Sequence, residues 1–195
     1  MLSVESVPKI VPDFAEVKAT VVPLENVCEM AVNDRQLILA SSAIAQIVLK
    51  VICADQEELQ SKFERMKEVL RNFFEFVRLS TNLSLAELIY SIWLVSRFSE
   101  KEAENKFKCM NQPLVKEQCE TVINESNIGT VLLVSLEISQ KVLRDRAKKN
   151  TYWAHLFDLS VENFNRSEAA YLKWLDYSVW LDEEIFNEMF QAMLL

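Results

Sequence analysis

Between Phe63 and Val77 the apolar residues Phe63, Met66, Leu70, Phe73 and Val77 recur at three-and-four spacing among charged neighbours, which predicts an amphipathic helix. Ahead of it, residues 37–54 form a nearly continuous apolar run, with Asp34 placed where a helix cap is expected. Gln46 and Lys50 interrupt that run before the about 18 clean apolar residues of a membrane span accumulate, so it predicts a buried helix. Asn82-Leu83-Ser84 breaks the amphipathic helix, and Ser84 with Glu87 makes the capping box of the next, expected to run to about Phe98. The charged stretch from Ser99 to about Gln118 contains Pro113 and predicts a loop or paired short turns. From Ile128 to Arg146 Val, Ile and Leu dominate; propensity alone would allow a strand, but the length predicts a helix enclosed by others. Short helices are expected over Tyr152–Phe157 and Asn165–Leu175, the second opened by Asn165 and Glu168 as a capping box, and Asp182 is expected to cap a last helix from Glu183 to about Leu194. Residues 1–32 hold three of the four prolines and no sustained period, which predicts an extended or mobile arm ahead of a single domain over 33–195.

Composition narrows the classes. Half of the 195 residues are apolar, enough for a sizeable core. The single glycine, Gly129, argues against tight hairpins and excludes glycine-rich nucleotide-binding loops, which need several glycines in one turn. An all-α fold fits best. The net charge of -8 opposes attraction to nucleic acid or anionic lipid, and points to protein partners. Cys28, Cys53, Cys109 and Cys119 show no C-x-x-C pair, so neither a disulfide framework nor a zinc site is signalled and an intracellular home is expected. The sequons at Asn82, Asn124 and Asn165 read as helix starts, since no leader-like segment opens the chain. His155, the one histidine, has no companion ligands and reads as an ordinary helix residue. Trp153, Trp174 and Trp180 read as core and rim residues rather than an aromatic cage, and Asp182-Glu183-Glu184 as a helix first turn rather than a calcium loop.

The segment Ser139-Gln140-Lys141-Val142-Leu143-Arg144-Asp145, followed by Asn150, Trp153-Ala154, Asn165, Glu168 and Leu175-Asp176-Tyr177, resembles the middle and end of a cyclin box. In that family a buried third helix ends in a small residue, Lys, three residues and Asp, and an Asn-x-x-Glu motif opens the fifth helix. Upstream, Met66-Lys67-x-x-Leu70-x-x-Phe73 stands where mitotic cyclins carry Met-Arg-x-x-Leu-x-x-Trp, and Leu94-Val95-Ser96-Arg97-Phe98 where they carry Tyr-Ile-Asp-Arg-Phe. The resemblance spans about Asp34 to Leu194, is nearest in pattern to the small P-, U- and Y-type cyclins, and leaves no room for a second box. Lys67 and Ser96 cannot form the Arg–Asp pair of the mitotic members, so the resemblance does not extend to their docking of Arg-x-Leu peptides.

What the resemblance implies is a cyclin-box bundle with an extra N-terminal and a C-terminal helix, acting as a regulatory subunit. It would bind and activate a cyclin-dependent kinase by docking on the kinase's regulatory helix, without catalytic groups of its own. Carried over position by position, the kinase-binding residues are Lys141 and Glu168, with Val142, Leu172, Tyr177 and Val179 as apolar neighbours. A heterodimer in the cytoplasm or nucleus is expected, with no cofactor, metal, nucleic acid or membrane span. An adaptor that docks a protein without activating a kinase is the alternative, since fold does not fix function. A DNA-gripping transcription factor sits poorly with the acidic charge, and no nucleophile–base pair suggests an enzyme. Glu137 stands where the family is usually apolar, four residues before Lys141, which is ion-pair spacing on one helix face.

Overall fold

Seven helices and no strand make up the described residues of the structure, a computed structural model that describes residues 30–53, 56–111, 122–124 and 126–194. In chain order they are α1 Asp34–Ile52, α2 Gln56–Thr81, α3 Leu85–Asn111, α4 Ile128–Leu143, α5 Asn150–Leu156, α6 Val161–Trp174 and α7 Glu183–Leu194. The all-α expectation holds. Of the arm expected over 1–32, only residues 30–32 are described; the Leu85 amide donates to the Met30 carbonyl at 2.8 Å, tying that end to the start of α3.

The two most apolar segments form the centre. Every residue from Leu83 to Val95 is buried, as is every residue from Val131 to Gln140, and α3 packs against α4. A helix buried on all sides needs no polar stripe, which is why the 128–143 segment lacks one. The other helices bring amphipathic faces to this pair: Phe74 and Val77 from α2, Trp153 from α5, Phe164 and Tyr171 from α6, Phe186 and Phe190 from α7. Phe98 of α3 lies 4.7 Å from the Tyr171 ring, whose hydroxyl is 2.8 Å from Ser135 Oγ of α4. Helix α1 is long and apolar enough to cross a membrane by length and composition. In this bundle it is a core helix, with Leu37, Ala40, Ile44 and Val48 buried where it meets α2 and α3.

Four local expectations need correction. Asn33, not Asp34, caps α1: its side chain accepts from the Gln36 amide while the Gln36 side chain accepts from the Asn33 amide, both at 3.0 Å. Asp34 instead pairs with Arg78 at 2.9 Å. Helix α3 does not end near Phe98 but continues to Asn111. The charged residues there are good helix formers with no Gly or Pro before Pro113, and Glu100 receives Arg97 at 2.8 Å. The rest of the loop expected to Gln118, with Pro113, lies outside the described residues. Helix α6 starts four residues before Asn165, at Val161, where Ser160 accepts from the Asn163 amide. Asn165 and Glu168 are therefore interior residues, not a capping box, and the Asn165 sequon is no helix start. Helix α4 ends at Leu143 rather than Arg146, and Arg144 leaves the helix with extended backbone.

Other signals hold. Ser84 and Glu87 form their capping box, Ser84 amide to Glu87 Oε2 at 3.0 Å and Glu87 amide to Ser84 Oγ at 3.3 Å. Asp182 accepts from the Glu184 amide at 2.9 Å at the start of α7. Trp153 is fully buried, Trp174 sits at the rim with its indole N–H donating to the Phe98 carbonyl, and Trp180 is exposed. The three do not form a cage.

Candidate functional site

The end of α4, the start of α5 and the middle of α6 converge around Lys141. Lys141 lies in its last turn, where a cation also meets the negative end of the helix dipole. Its ammonium reaches across to Glu168 Oε1 on α6 at 2.5 Å, and also contacts Glu137 one turn back on α4. Glu168 accepts in turn from Asn150 Nδ2 at 2.5 Å, and the same amide donates to Asn165 Oδ1 at 2.8 Å. A lysine, two carboxylates and two amides thus join α4, α5 and α6.

Burial grades this cluster from inside to outside. Glu137 is fully buried, the Glu168 side chain is 17% exposed and the Lys141 side chain 36% exposed. Among the described residues Lys141 is the one donor that Glu137 meets, and its other oxygen has no partner. Burial pushes the Glu137 carboxyl up to about 7 against the pull of Lys141, and the Glu168 charge adds to the rise. Burial draws the Lys141 ammonium down, but its two carboxylates outweigh that and its pKa ends above the ordinary lysine value.

The apolar positions fall into two groups. Val142, next to Lys141, is 42% exposed, and Leu172 lies one turn beyond Glu168 on the same stripe of α6, half-buried against the core. Beyond α6 the chain closes with the Tyr177 amide on the Leu172 carbonyl at 2.8 Å and the Asp176 amide on the Lys173 carbonyl at 3.0 Å. That is a Schellman closure in which Asp176 and Tyr177, at φ 51° and 57°, adopt left-handed backbone without glycine. Tyr177 consequently projects into solvent, 69% exposed, while Val179 is half-buried and its carbonyl accepts from the Tyr90 hydroxyl. Lys141 and Glu168 are in contact; Tyr177 and Val179 lie past the end of α6, a helix rise of about 9 Å from Glu168.

The roles of Asn150 and Arg144 were not read from sequence. Arg144 crosses to the Ser84 capping box, its Nη2 2.7 Å from Glu87 Oε2 and 2.9 Å from the Asn82 carbonyl. Upstream, Lys67 pairs with Glu64 at 2.6 Å and the Ser96 hydroxyl donates to Glu100 at 3.3 Å, so one local ion pair and one local hydrogen bond stand in place of the ion pair of the mitotic pattern. Leu70 is buried, and Met66 and Phe73 are half-buried against the core. Among the described residues no group of His, Cys, Asp and Glu is placed to hold a metal ion.

A family model described as Cyclin matches residues 32–179, well over half of the chain and including the whole Lys141 cluster. No curated protein and no solved structure matches the chain.

Proposed function

Since the chain belongs to the cyclin family, we propose that it is a non-catalytic regulatory subunit that binds and activates a cyclin-dependent protein kinase as a heterodimer. Lys141 and Glu168 are the polar centre of the docking surface, with Val142, Leu172, Tyr177 and Val179 as its apolar contacts. The observation that carries this reading is the 2.5 Å contact between Lys141 and Glu168, which joins two sequence-distant motifs into one partly exposed pair beside the exposed Val142. Such a pair, desolvated beneath a partner helix, offers charge-assisted bonds to backbone groups at the helix's ends. Holding the kinase helix inward lets its glutamate pair with the lysine that positions the ATP phosphates, which is how a subunit without catalytic groups raises activity. Kinship with the small P-, U- or Y-type members, and a cytoplasmic or nuclear setting in control of the cell cycle, belong to the same proposal. The family match over residues 32–179, which takes in α1, supports it.

The second reading, an adaptor that docks without activating, is favoured by one observation: Lys141 is already engaged by two carboxylates of its own chain. Purified cyclin-dependent kinases mixed with the chain separate the two. Binding with a rise in phosphorylation of a peptide substrate is expected; binding with no rise supports the adaptor.

A further inference from the structure

Lys141, on which docking turns, is shared between two carboxylates of unlike freedom. An ammonium has three donors, so two carboxylates leave one for a partner. Glu168 retains some exposure and is itself supported by Asn150, so it can stay solvated or paired when Lys141 shifts. Glu137 cannot: it is fully buried within the run Val131–Gln140, and among the described residues it has no donor besides Lys141. Lys141 is the cation it touches.

We propose that Glu137 is a positioning residue that sets the affinity of the docking surface, by holding the Lys141 ammonium against α4 so that a partner helix must draw it off a buried carboxylate. This rests on the kinase-docking reading and deepens it. The physical reason is an asymmetry of cost, because removing the partner of a buried charge leaves that charge uncompensated, whereas removing the charge itself does not. A kinase helix competing for Lys141 therefore works against Glu137. Glutamine at 137 keeps the shape, drops the charge and leaves the ammonium to Glu168 alone.

The test measures dissociation constants, by calorimetry, for purified cyclin-dependent kinases lacking a cyclin. They are titrated with the wild-type chain and with Glu137→Gln, Lys141→Met and the double variant. Glu137→Leu, which leaves no buried polar group, accompanies them in case the glutamine is poorly accommodated, and melting curves check the fold of each. Glu137→Gln or Glu137→Leu should bind about tenfold tighter than wild type, equivalent to about 1.4 kcal/mol. In the Lys141→Met background the same change should move affinity by less than about twofold, which a merely structural role for Glu137 would not produce. Binding by a Glu137 variant alone also supports the proposal. Unchanged or weaker binding by both Glu137 variants, with wild type still binding, overturns it while leaving the docking reading intact. No binding by any of the proteins overturns both.

Discussion

Helix α4 ends in two cations that each meet a buried glutamate, and the two pairs are built to opposite standards. Arg144 meets Glu87 with two nitrogens, and its guanidinium also donates to the Asn82 and Thr81 carbonyls, while Glu87 caps the Ser84 amide. Lys141 meets Glu137 with a single nitrogen, and among the described residues the remaining polar capacity of Glu137 is unmet. The planar fork of arginine suits a bidentate lock, and lysine is a flexible point charge able to change partners. A satisfied cluster fixes the turn between α2 and α3 against α4. An unsatisfied one, whose lysine is partly exposed, leaves a cation that can change partners.

The largest effect should follow from breaking the satisfied pair. Arg144→Ala leaves Glu87 buried without its cation, and a loss of about 3–5 kcal/mol in stability is expected from urea unfolding. A loss under about 1 kcal/mol would mean that the two clusters do not differ as described.

Next in size is the pH dependence of the unsatisfied one. Folding raises the Glu137 carboxyl from 4.5 to about 7 through burial, so between those values the folded chain holds a proton that the unfolded chain has released. Stability from this group is therefore greatest below about pH 4.5, falls as pH rises, and levels off above about 7. The change is on the order of 3 kcal/mol, and the difference in stability between wild type and Glu137→Gln across pH 5–8 isolates it. A flat difference curve would show that Glu137 stays ionised throughout.

Lys141→Ala should cost the fold about 1–2 kcal/mol at pH 8, where the buried carboxylate is charged, and distinctly less at pH 5, where it is protonated. Exposure alone would have made this substitution nearly neutral. Equal melting shifts at the two pH values would remove Glu137 from the account.

These contrasts mark what the sequence discloses. The enclosed helix over 128–143, the Ser84–Glu87 box and the Asp182 cap are local patterns, so they were legible. Helix ends were less so: residues 99–111 are charged yet helical, and the Asn165–Glu168 pattern imitates a cap inside a helix that Ser160 begins. The i,i+4 spacing of Glu137 and Lys141 was visible, but the burial that makes the pair consequential is set by tertiary packing around α4. Arg144 and Glu87 are 57 residues apart, and no spacing rule joins them. For Lys141 and Glu168, the family resemblance supplied the two residues and the structure their contact.

The smallest effect is expected at the face that differs from the mitotic pattern. Arg-x-Leu peptides should bind weakly or not at all where Met66 and Leu70 stand, because Lys67 is paired locally and Phe73 replaces tryptophan. Micromolar binding by calorimetry, lost on changing Met66 and Leu70, would contradict this.

The most direct test of the central claim is the affinity of one purified cyclin-dependent kinase for the wild-type chain, Lys141→Ala and Glu168→Ala, measured at a temperature where melting curves show all three folded. The wild-type chain should bind, and each substitution should weaken binding by about 2–5 kcal/mol, well beyond its effect on folding. Full kinase affinity in both variants would contradict it.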